Sequence, residues 1–326
     1  MMTIDVLCLR PRADFVRIGV EAPAHLRVEY REPSDPRLRE TVSASSVLLI
    51  PAVGPKLHPD LLEGSALKLV QVTGSGVDRV ERDGVIRLGI PVCNVPGGSN
   101  NAVAEYAVTT ASLLLRRLAW SNQEIRSGNY SGFRARMVAE NVGGLEGLTV
   151  GIVGFGTIGM AVAGAFARVG CRIVYYDPAV PPAAATGKLH AESLALDALL
   201  STADVVSLHV PLLDSTRSLI GARELSMMKP GSVLIQVSRG GVVDEAALAN
   251  AVTSGHLGGA AVDVYSAEPP SADNPLLAIE GDAAHRLLLT PHIAGVTRQS
   301  WAFIFRSAWD NVERVLRGEP PLNRVY

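Results

Sequence analysis

Three polar residues of the C-terminal half of the chain each follow an apolar run. They are Arg239, Glu268 and His292. A guanidinium group can hold a carboxylate and polarise the carbonyl beside it. A histidine can exchange a proton with a hydroxyl near neutral pH, and a carboxylate on its other ring nitrogen fixes its tautomer and favours its charged form. Together with a nicotinamide, the three fit hydride transfer at a hydroxyl-bearing carbon next to a carboxylate.

Each of the three residues has a simpler interpretation. Arg239 fits a helix-entry arginine that is paired with Asp244 or Glu245. Glu268 fits a solvated loop acid, and His292 fits a ring that satisfies a backbone carbonyl. The catalytic interpretation is favoured because the same part of the chain also contains a candidate phosphate-binding loop.

That candidate loop is the stretch "TVGIVGFGTIG", residues 149–159. An apolar strand leads into Gly154, Gly156 and Gly159, and an alanine-rich helix follows. In this pattern the first glycine permits a tight turn, the second lets the backbone approach a pyrophosphate, and the third lets the helix pack on the strand. Asp177 ends the next strand, where an acidic side chain takes ribose hydroxyls and repels a 2′-phosphate, so NAD is favoured over NADP. The alternative is a glycine turn that binds nothing.

The elements that must position these residues form an alternating pattern. Short apolar runs rich in β-formers alternate with helical stretches rich in Ala and Leu, which predicts an α/β fold of parallel sheets with helices on both faces. Residues 179–187 are predicted as a loop from their composition. The predicted strands are Ile4–Leu9, Val47–Ile50, Leu67–Val72, Val92–Asn94, Thr149–Val153, Arg172–Tyr176, Val205–His209, Val233–Val237, Ala260–Asp263 and Leu287–Thr290.

Two long helices mark the predicted domain borders. One covers about Asn101 to Arg117, capped at Asn100 or Asn101, and the other covers about Thr297 to Arg317. We therefore expect residues 100–292 to form one domain and residues 1–99 plus 293–326 the other, with a catalytic cleft between them.

Composition excludes several classes of function. The 326 residues carry a formal charge of −2, which leaves no electrostatic footprint for nucleic acid or an anionic membrane. The start of the chain lacks a signal-peptide core, and no apolar run approaches the roughly 20 residues of a membrane helix. The three cysteines are far apart without metal-ligand spacing, so we expect no metal and a reducing, cytoplasmic location.

Longer stretches resemble the D-isomer-specific 2-hydroxyacid dehydrogenases, which include phosphoglycerate, glyoxylate/hydroxypyruvate and D-lactate dehydrogenases. The resemblance implies two doubly wound parallel-sheet domains, with a Rossmann NAD-binding domain inserted in a flavodoxin-like substrate domain. The matching stretches are "LVQVTGSGVDRV", "IPVCNVPGGSNNAVAEYA", "TVGIVGFGTIG", "VVSLHVPLLDSTRSLI", "MKPGSVLIQVSRGGVVDEAAL", "GGAAVDVYSAEP" and "LLTPHIAG".

This resemblance implies a role for each matched catalytic or substrate-binding position. Arg239 looks like the substrate-binding arginine, His292 like the acid/base, and Glu268 like its partner. Ser75 and Gly76 look like the backbone donors for the substrate carboxylate. The implied enzyme is an NAD-dependent oxidoreductase that acts at C2 of a small D-2-hydroxy acid or 2-keto acid.

The resemblance also implies how the cofactor is held and how the chain assembles. A homodimer joined through the nucleotide domain and the region near residues 118–147 is typical of the family. The implied cofactor contacts, beside the glycines and Asp177, are Thr157, Ile158, Val210, Pro211, Val237 and Asp263.

Two alternatives remain. The transcriptional corepressors that resemble this family keep the same three polar residues, so a non-catalytic, NAD-sensing interaction protein is the second hypothesis. The third hypothesis is the same enzyme with NADP in place of NAD. The negative charge of Asp177 disfavours it, because that charge would repel the 2′-phosphate.

Overall fold

Two parallel sheets organise the chain in the computed structural model, which describes residues 4–179 and 187–326. The fold divides into two units, Met1–Ser99 with Val296–Tyr326, and Asn100–Gly295. The border after Gly295 lies three residues beyond the predicted one. Most of the loop predicted at 179–187 lies outside the described residues.

The first unit contains a five-stranded sheet in the order β2-β1-β3-β4-β5, with all its strand pairs parallel. This order is that of flavodoxin-like sheets. The strands are β1 (Ile4–Cys8), β2 (Val28–Tyr30), β3 (Ser45–Pro51), β4 (Leu69–Thr73) and β5 (Val92–Cys93). The helices are α1 (Arg12–Ile18), α2 (Leu38–Ser43), α3 (Arg82–Leu88) and the C-terminal α11 (Arg298–Leu316).

Both faces of this sheet are covered, because its strands are apolar on both sides. Phe15 of α1 packs with Phe305 and Trp309 of α11 on one face, and Val42 of α2 and Val85 of α3 pack on the other. The sheet is therefore doubly wound.

The second unit contains a seven-stranded parallel sheet in the order β12-β11-β10-β9-β6-β7-β8, the arrangement of the Rossmann fold. Its strands are β6 (Thr149–Val153), β7 (Arg172–Tyr176), β8 (Glu192–Ser193), β9 (Val205–Leu208), β10 (Val233–Gln236), β11 (Gly259–Val262) and β12 (Leu287–Leu289). Its helices are α4 (Asn100–Leu115), α5 (Leu118–Arg126), α6 (Tyr130–Ala139), α7 (Thr157–Arg168), α8 (Leu196–Thr202), α9 (Ala222–Met227) and α10 (Glu245–Thr253).

Helices also cover both faces of the second sheet. Ala107 of α4 and Phe166 of α7 pack on one face, and Leu199 of α8, Leu225 of α9 and Leu248 of α10 pack on the other. The predicted fold class, two doubly wound parallel sheets, is confirmed. Asn100, predicted as a cap of α4, lies in its first turn.

All ten predicted strands form, with ends within two residues of the prediction. The sequence pattern missed Val28–Tyr30 and Glu192–Ser193, which lie at the outer edge of each sheet. These strands contain only three and two residues, some of them polar, and are therefore too short to show an alternating pattern.

Candidate active site

Three adjacent strands of the second sheet deliver the predicted catalytic residues to one edge. Arg239 follows β10, Glu268 follows β11 and His292 follows β12. The last residues of these strands are in register, since Gln236 pairs with Val262 and Val262 pairs with Leu289. The carboxyl ends of parallel strands border the ligand crevice of such sheets.

Glu268 and His292 form a direct pair. The Nδ1 atom of His292 lies 2.8 Å from Oε2 of Glu268, and the backbone N–H of Tyr265 donates to Oε1 at 3.2 Å. Burial alone would raise the pKa of Glu268, but the bond and charge of His292, the Tyr265 N–H and the charge of Arg239 hold that pKa below its ordinary value. An ionised carboxylate only accepts, so Nδ1 carries the proton and Nε2 is left to exchange protons.

The backbone of His292 adopts a left-handed conformation, with φ of 55°. Asp263, which is 1% exposed, holds this turn. Its backbone oxygen accepts the His292 N–H at 2.8 Å, and its carboxylate accepts the N–H groups of Ile293 and Ala294, both at 2.8 Å. Such a conformation costs about 1–3 kcal/mol in general, and these bonds stabilise it here.

Two further residues extend this network. The hydroxyl of Thr290 donates to Oδ1 of Asp263 at 2.5 Å, and the hydroxyl of Tyr106 lies 2.7 Å from that of Thr290. The single Thr290 hydroxyl proton is used toward Asp263, so Tyr106 is the donor in the second bond. Burial raises the pKa of Tyr106 to about 12, which keeps the phenol protonated. Sequence reasoning missed both residues, because Tyr106 reads as an ordinary apolar position of α4.

Arg239 lies just after the end of β10, where side-chain hydrogen bonds fix the backbone. Nε2 of Gln236 donates to the Arg239 backbone oxygen at 2.9 Å, and Oε1 of Gln236 accepts the hydroxyl of Ser238 at 2.7 Å. A side chain on Gly240 would place its Cβ 1.7 Å from the backbone oxygen of Tyr265. Glycine is therefore required directly after Arg239 by the loop that follows β11.

Asp244 and Glu245, the two carboxylates considered as ion-pair partners of Arg239, each accept other hydrogen bonds. Asp244 accepts the Ala247 N–H as the N-cap of α10. Glu245 accepts the N–H of Ser266 at 2.6 Å and the side-chain amide of Asn274 at 2.7 Å. Glu245 thereby holds the start of the loop that contains Glu268.

The glycine loop has the geometry that an anion site requires. Gly154 has φ of 91°, and a Cβ there would lie 2.8 Å from the backbone of His209. A Cβ on Gly159 would lie 2.1 Å from the backbone oxygen of Gly154, whereas Gly156 faces open space. Thr157 is exposed and Ile158 half-buried at the start of α7, where backbone N–H groups attract anions.

Asp177 ties this loop to the next strand. Its Oδ2 accepts the N–H of Phe155 at 2.7 Å, and its Oδ1 accepts the N–H of Ala179 at 2.8 Å. Each carboxylate oxygen has a second lone pair, so these bonds leave acceptor capacity for ribose hydroxyls.

The loop after β9 lies against the glycine loop. Val210 is buried with its Cγ1 near Gly154, Pro211 is exposed, and Val237 after β10 is half-buried in the same unit. Nε2 of His209 lies 2.8 Å from the hydroxyl of Ser207, and burial lowers the pKa of His209 to about 3.

The buried Nδ1 of His209 meets no hydrogen-bond partner among residues 4–179 and 187–326. A buried polar atom without a partner next to a glycine cradle fits a site completed by a bound polar group. The donors, the glycines and Asp177 together suit a dinucleotide.

Ser75 and Gly76, the predicted donors for the substrate carboxylate, lie in the first unit after β4. The Asn94 amide donates to the Ser75 backbone oxygen at 2.7 Å, and the Ser75 hydroxyl donates to the Val95 oxygen at 3.2 Å. These bonds fix the loop, and the role of its N–H groups stays a prediction.

The described ranges lack two features of other classes of protein. They contain no group of three or more His, Cys, Asp or Glu side chains that could hold a metal ion. They also contain no helix of the length and apolarity that crossing a membrane requires.

Known proteins match both the sequence and the fold. Residues 108–294 match the family model of the D-isomer specific 2-hydroxyacid dehydrogenase, NAD binding domain. The (S)-sulfolactate dehydrogenase of Chromohalobacter salexigens is 39% identical over 77% of this chain and 78% of its own. The D-3-phosphoglycerate dehydrogenase of Archaeoglobus fulgidus is 32% identical over 79% of this chain, which spans 47% of that protein.

A solved structure agrees with this assignment. The D-lactate dehydrogenase of Aquifex aeolicus, complexed with NAD and lactic acid, superposes with a TM-score of 0.81 at 26% identity, covering 96% of each chain. The family model and the NAD-bound neighbour establish NAD as the cofactor. The chain belongs to the D-isomer specific 2-hydroxyacid dehydrogenase family and is an NAD-dependent dehydrogenase.

Proposed function

We propose that the protein interconverts a small 2-keto acid and its D-2-hydroxy acid, with His292 as the acid/base, Glu268 as its orienting partner and Arg239 as the substrate-binding cation. The observation that carries this proposal is the 2.8 Å contact between Nδ1 of His292 and Glu268. It leaves the other ring nitrogen for the substrate, at an edge that also presents Arg239.

The proton and the charges are handled by these side chains. In reduction, Nε2 of His292 donates a proton to the C2 oxygen while the guanidinium of Arg239 binds the carboxylate. The Glu268 carboxylate stabilises the protonated imidazole before the transfer. NADH, when bound, would supply the hydride for C2. In oxidation, neutral His292 accepts the hydroxyl proton.

Relatives support a small acid as the substrate, because they are named for sulfolactate, 3-phosphoglycerate and glyoxylate. These acids differ in the group next to C2. The first-unit loop of Ser75 and Gly76 is proposed to bind the carboxylate that they share.

The test is NADH oxidation with a panel of glyoxylate, hydroxypyruvate, pyruvate and 3-sulfopyruvate. We expect turnover with at least one acid, and His292→Asn should lower kcat/KM by roughly 1,000-fold, the range of a positioned acid–base group. NADH affinity, measured by fluorescence, should not change. His25→Asn, an exposed histidine of the first unit, is the control. Absence of turnover with the whole panel, together with NAD-dependent capture of a protein partner, would favour the non-catalytic hypothesis instead.

We also propose a homodimer that forms through α5, α6 and the segment after them. Apolar side chains are exposed along this region, with Tyr130 63% and Val138 68% exposed. The other exposed apolar residues there are Leu118, Ile125 and Val142. Exposed apolar groups of this density mark interaction surfaces. Light scattering on the purified protein should give twice the chain mass, and Val138→Glu should shift it toward one chain mass.

A cytoplasmic location remains the expectation from the three free, buried cysteines. Fractionation of cells that produce the protein tests it.

A further inference from the structure

The carboxyl edge of the first sheet carries an almost buried arginine that the proposed chemistry does not use. Arg10 follows β1, and its side chain is 12% exposed. Its guanidinium lies 4.3 Å from the ring centre of Trp301 and 5.2 Å from that of Phe305. Such stacking leaves the edge of the guanidinium plane for hydrogen bonds.

Arg10 reaches the strand whose end is predicted to bind the substrate. Its Nε donates to the hydroxyl of Thr73 at 3.3 Å, and that hydroxyl donates to the Ile50 oxygen at 3.1 Å. Thr73 is the last residue of β4, and Ser75 and Gly76 follow it two and three positions later. Arg10 therefore lies next to the loop proposed for the carboxylate, within one unit of the fold.

The charge of this edge is only partly compensated. Asp14 accepts from Nη1 of Arg10 at 2.8 Å, but Arg17 lies 3.8 Å from the same carboxylate. A second buried guanidinium, that of Arg79, donates to the backbone oxygens of Pro51, Val53 and Pro55. Those oxygens are neutral, so Arg79 adds a full positive charge.

The two buried guanidinium groups repel each other. Burial and then the charge of Arg10 lower the pKa of Arg79, and burial lowers that of Arg10 although Asp14 opposes it. Asp78, two residues beyond Gly76, is an exposed carboxylate of the same loop. An anion bound at this edge would relieve the repulsion.

A cavity opens beside Arg10. It measures about 200 Å³ and lies between α1 and α11, and it is lined by Arg10, Asp14, Arg17, Ile18, Trp301 and Phe305. Trp301 belongs to the first turn of α11, a helix of 19 residues, and the N-terminal end of a helix carries partial positive charge. The cavity thus offers space, a guanidinium fork and a favourable field to an oxyanion.

We propose that Arg10 recognises a second anionic group of the substrate, so that the preferred 2-keto acid carries a sulfonate or phosphate oxyanion beside C2. This inference rests on the proposed function and narrows it to doubly charged substrates. Arg10 holds the second anion, whereas the carboxylate at C1 is left to the loop of Ser75 and Gly76 and to Arg239.

The test compares substrates that differ in the second charge. kcat/KM is measured with NADH for 3-sulfopyruvate, 3-phosphohydroxypyruvate and pyruvate. We expect the wild type to prefer one of the two doubly charged acids by at least roughly 10-fold. Arg10→Met keeps the apolar stem and should lower kcat/KM for that acid by roughly 10- to 100-fold, with less than a threefold change for pyruvate.

Two matched variants separate recognition from folding. Arg12→Met removes an exposed arginine of α1 that does not line the cavity and should leave the preference intact. Arg10→Lys keeps the charge and should retain part of the preference even if Arg10→Met folds poorly. The wild-type melting temperature should also rise more with sulfoacetate than with acetate at equal ionic strength, and this readout requires no turnover.

The two proposals fail in different ways. Turnover of pyruvate and the doubly charged acids at equal kcat/KM, or an equal loss for all three in Arg10→Met, overturns the role of Arg10 and leaves the dehydrogenase proposal intact. Stabilisation by sulfoacetate that depends on Arg10, without turnover of any keto acid, supports the anion site and contradicts the proposed reaction.

Discussion

Charged side chains fix the loops at the carboxyl edge of each sheet. These side chains are negative in the second unit and positive in the first. In the second unit, carboxylates accept backbone N–H groups: Asp263 holds the turn at His292, and Asp177 holds the glycine loop. In the first unit, guanidinium groups donate instead: Arg79 holds three backbone oxygens of one loop, and Arg10 binds the hydroxyl of Thr73. Both sheets are doubly wound and parallel, so the difference does not arise from strand direction or from the helices that cover the faces.

This difference in polarity matches the chemistry proposed for each edge. A carboxylate anchor leaves negative charge beside the histidine that is proposed to carry the proton. A guanidinium anchor leaves positive charge, which favours an anionic ligand. In each case the group that fixes the loop also sets the local potential.

The largest effect is expected from Gly240, where the backbones of two loops of the second unit nearly touch. Gly240→Ala would place a Cβ 1.7 Å from the Tyr265 oxygen and 2.1 Å from its carbonyl carbon. Neither atom can move without shifting the loop that leads to Glu268. We expect the free energy of unfolding of the second unit to fall by about 3 kcal/mol, with loss of activity.

Chemical denaturation followed by tryptophan fluorescence tests this prediction. Trp120 lies in the second unit, and Trp301 and Trp309 lie in the first. Gly144→Ala is the control, since a Cβ there meets nothing within 4 Å. An unchanged midpoint for Gly240→Ala would mean that the loop after β11 moves aside at little cost, so that the contacts of this edge do not hold it in place.

A smaller effect is expected from the charge of Glu268. Glu268→Gln keeps the shape but removes the negative charge and leaves an amide opposite Nδ1 of His292. We expect kcat/KM at neutral pH to fall by roughly 100-fold, the low end of the contribution of a positioned acid–base group.

The pH dependence of the free energy of unfolding should show that folding stabilises the ionised form of Glu268. The folded pKa of Glu268 lies below its ordinary value of 4.5, so the stabilisation is fully present above that pH and is lost as the pH falls through the lowered value. Denaturation between pH 7 and pH 3 should show the wild type losing its advantage over Glu268→Gln in that window. A constant difference would contradict the ion pair.

The sequence predicts the position of a residue well when that residue directly follows an apolar run. Because parallel strands end at one edge, the positions of Arg239, Glu268 and His292 after β10, β11 and β12 already placed them on a common edge. The glycine spacing likewise indicated a tight turn, and Gly154 has the positive φ that the turn requires.

Residues that act across long sequence separations left no such signal. Tyr106 meets Thr290 across 184 positions, and Arg10 meets Thr73 across 63. Each pairing depends on helix packing and strand order, which no local period encodes. Asp263 was assigned to the cofactor through the family resemblance, and its contacts to the backbone of residues 293 and 294 became visible only in the structure.

The smallest effect is expected from Tyr106, and it tests how far the network of the second unit extends. Tyr106→Phe removes the donor to Thr290 while Thr290 continues to donate to Asp263. We expect a loss of about 1 kcal/mol in the free energy of unfolding, the usual value for one hydrogen bond, and a fall of less than 10-fold in kcat/KM. Tyr130→Phe, at a phenol 63% exposed in the same unit, should change neither quantity. If Tyr106→Phe reduces activity as strongly as Glu268→Gln, then the carboxylate of Asp263 depends on the phenol for its orientation, and the catalytic edge includes α4. If it changes nothing, Asp263 and its backbone contacts suffice to hold His292.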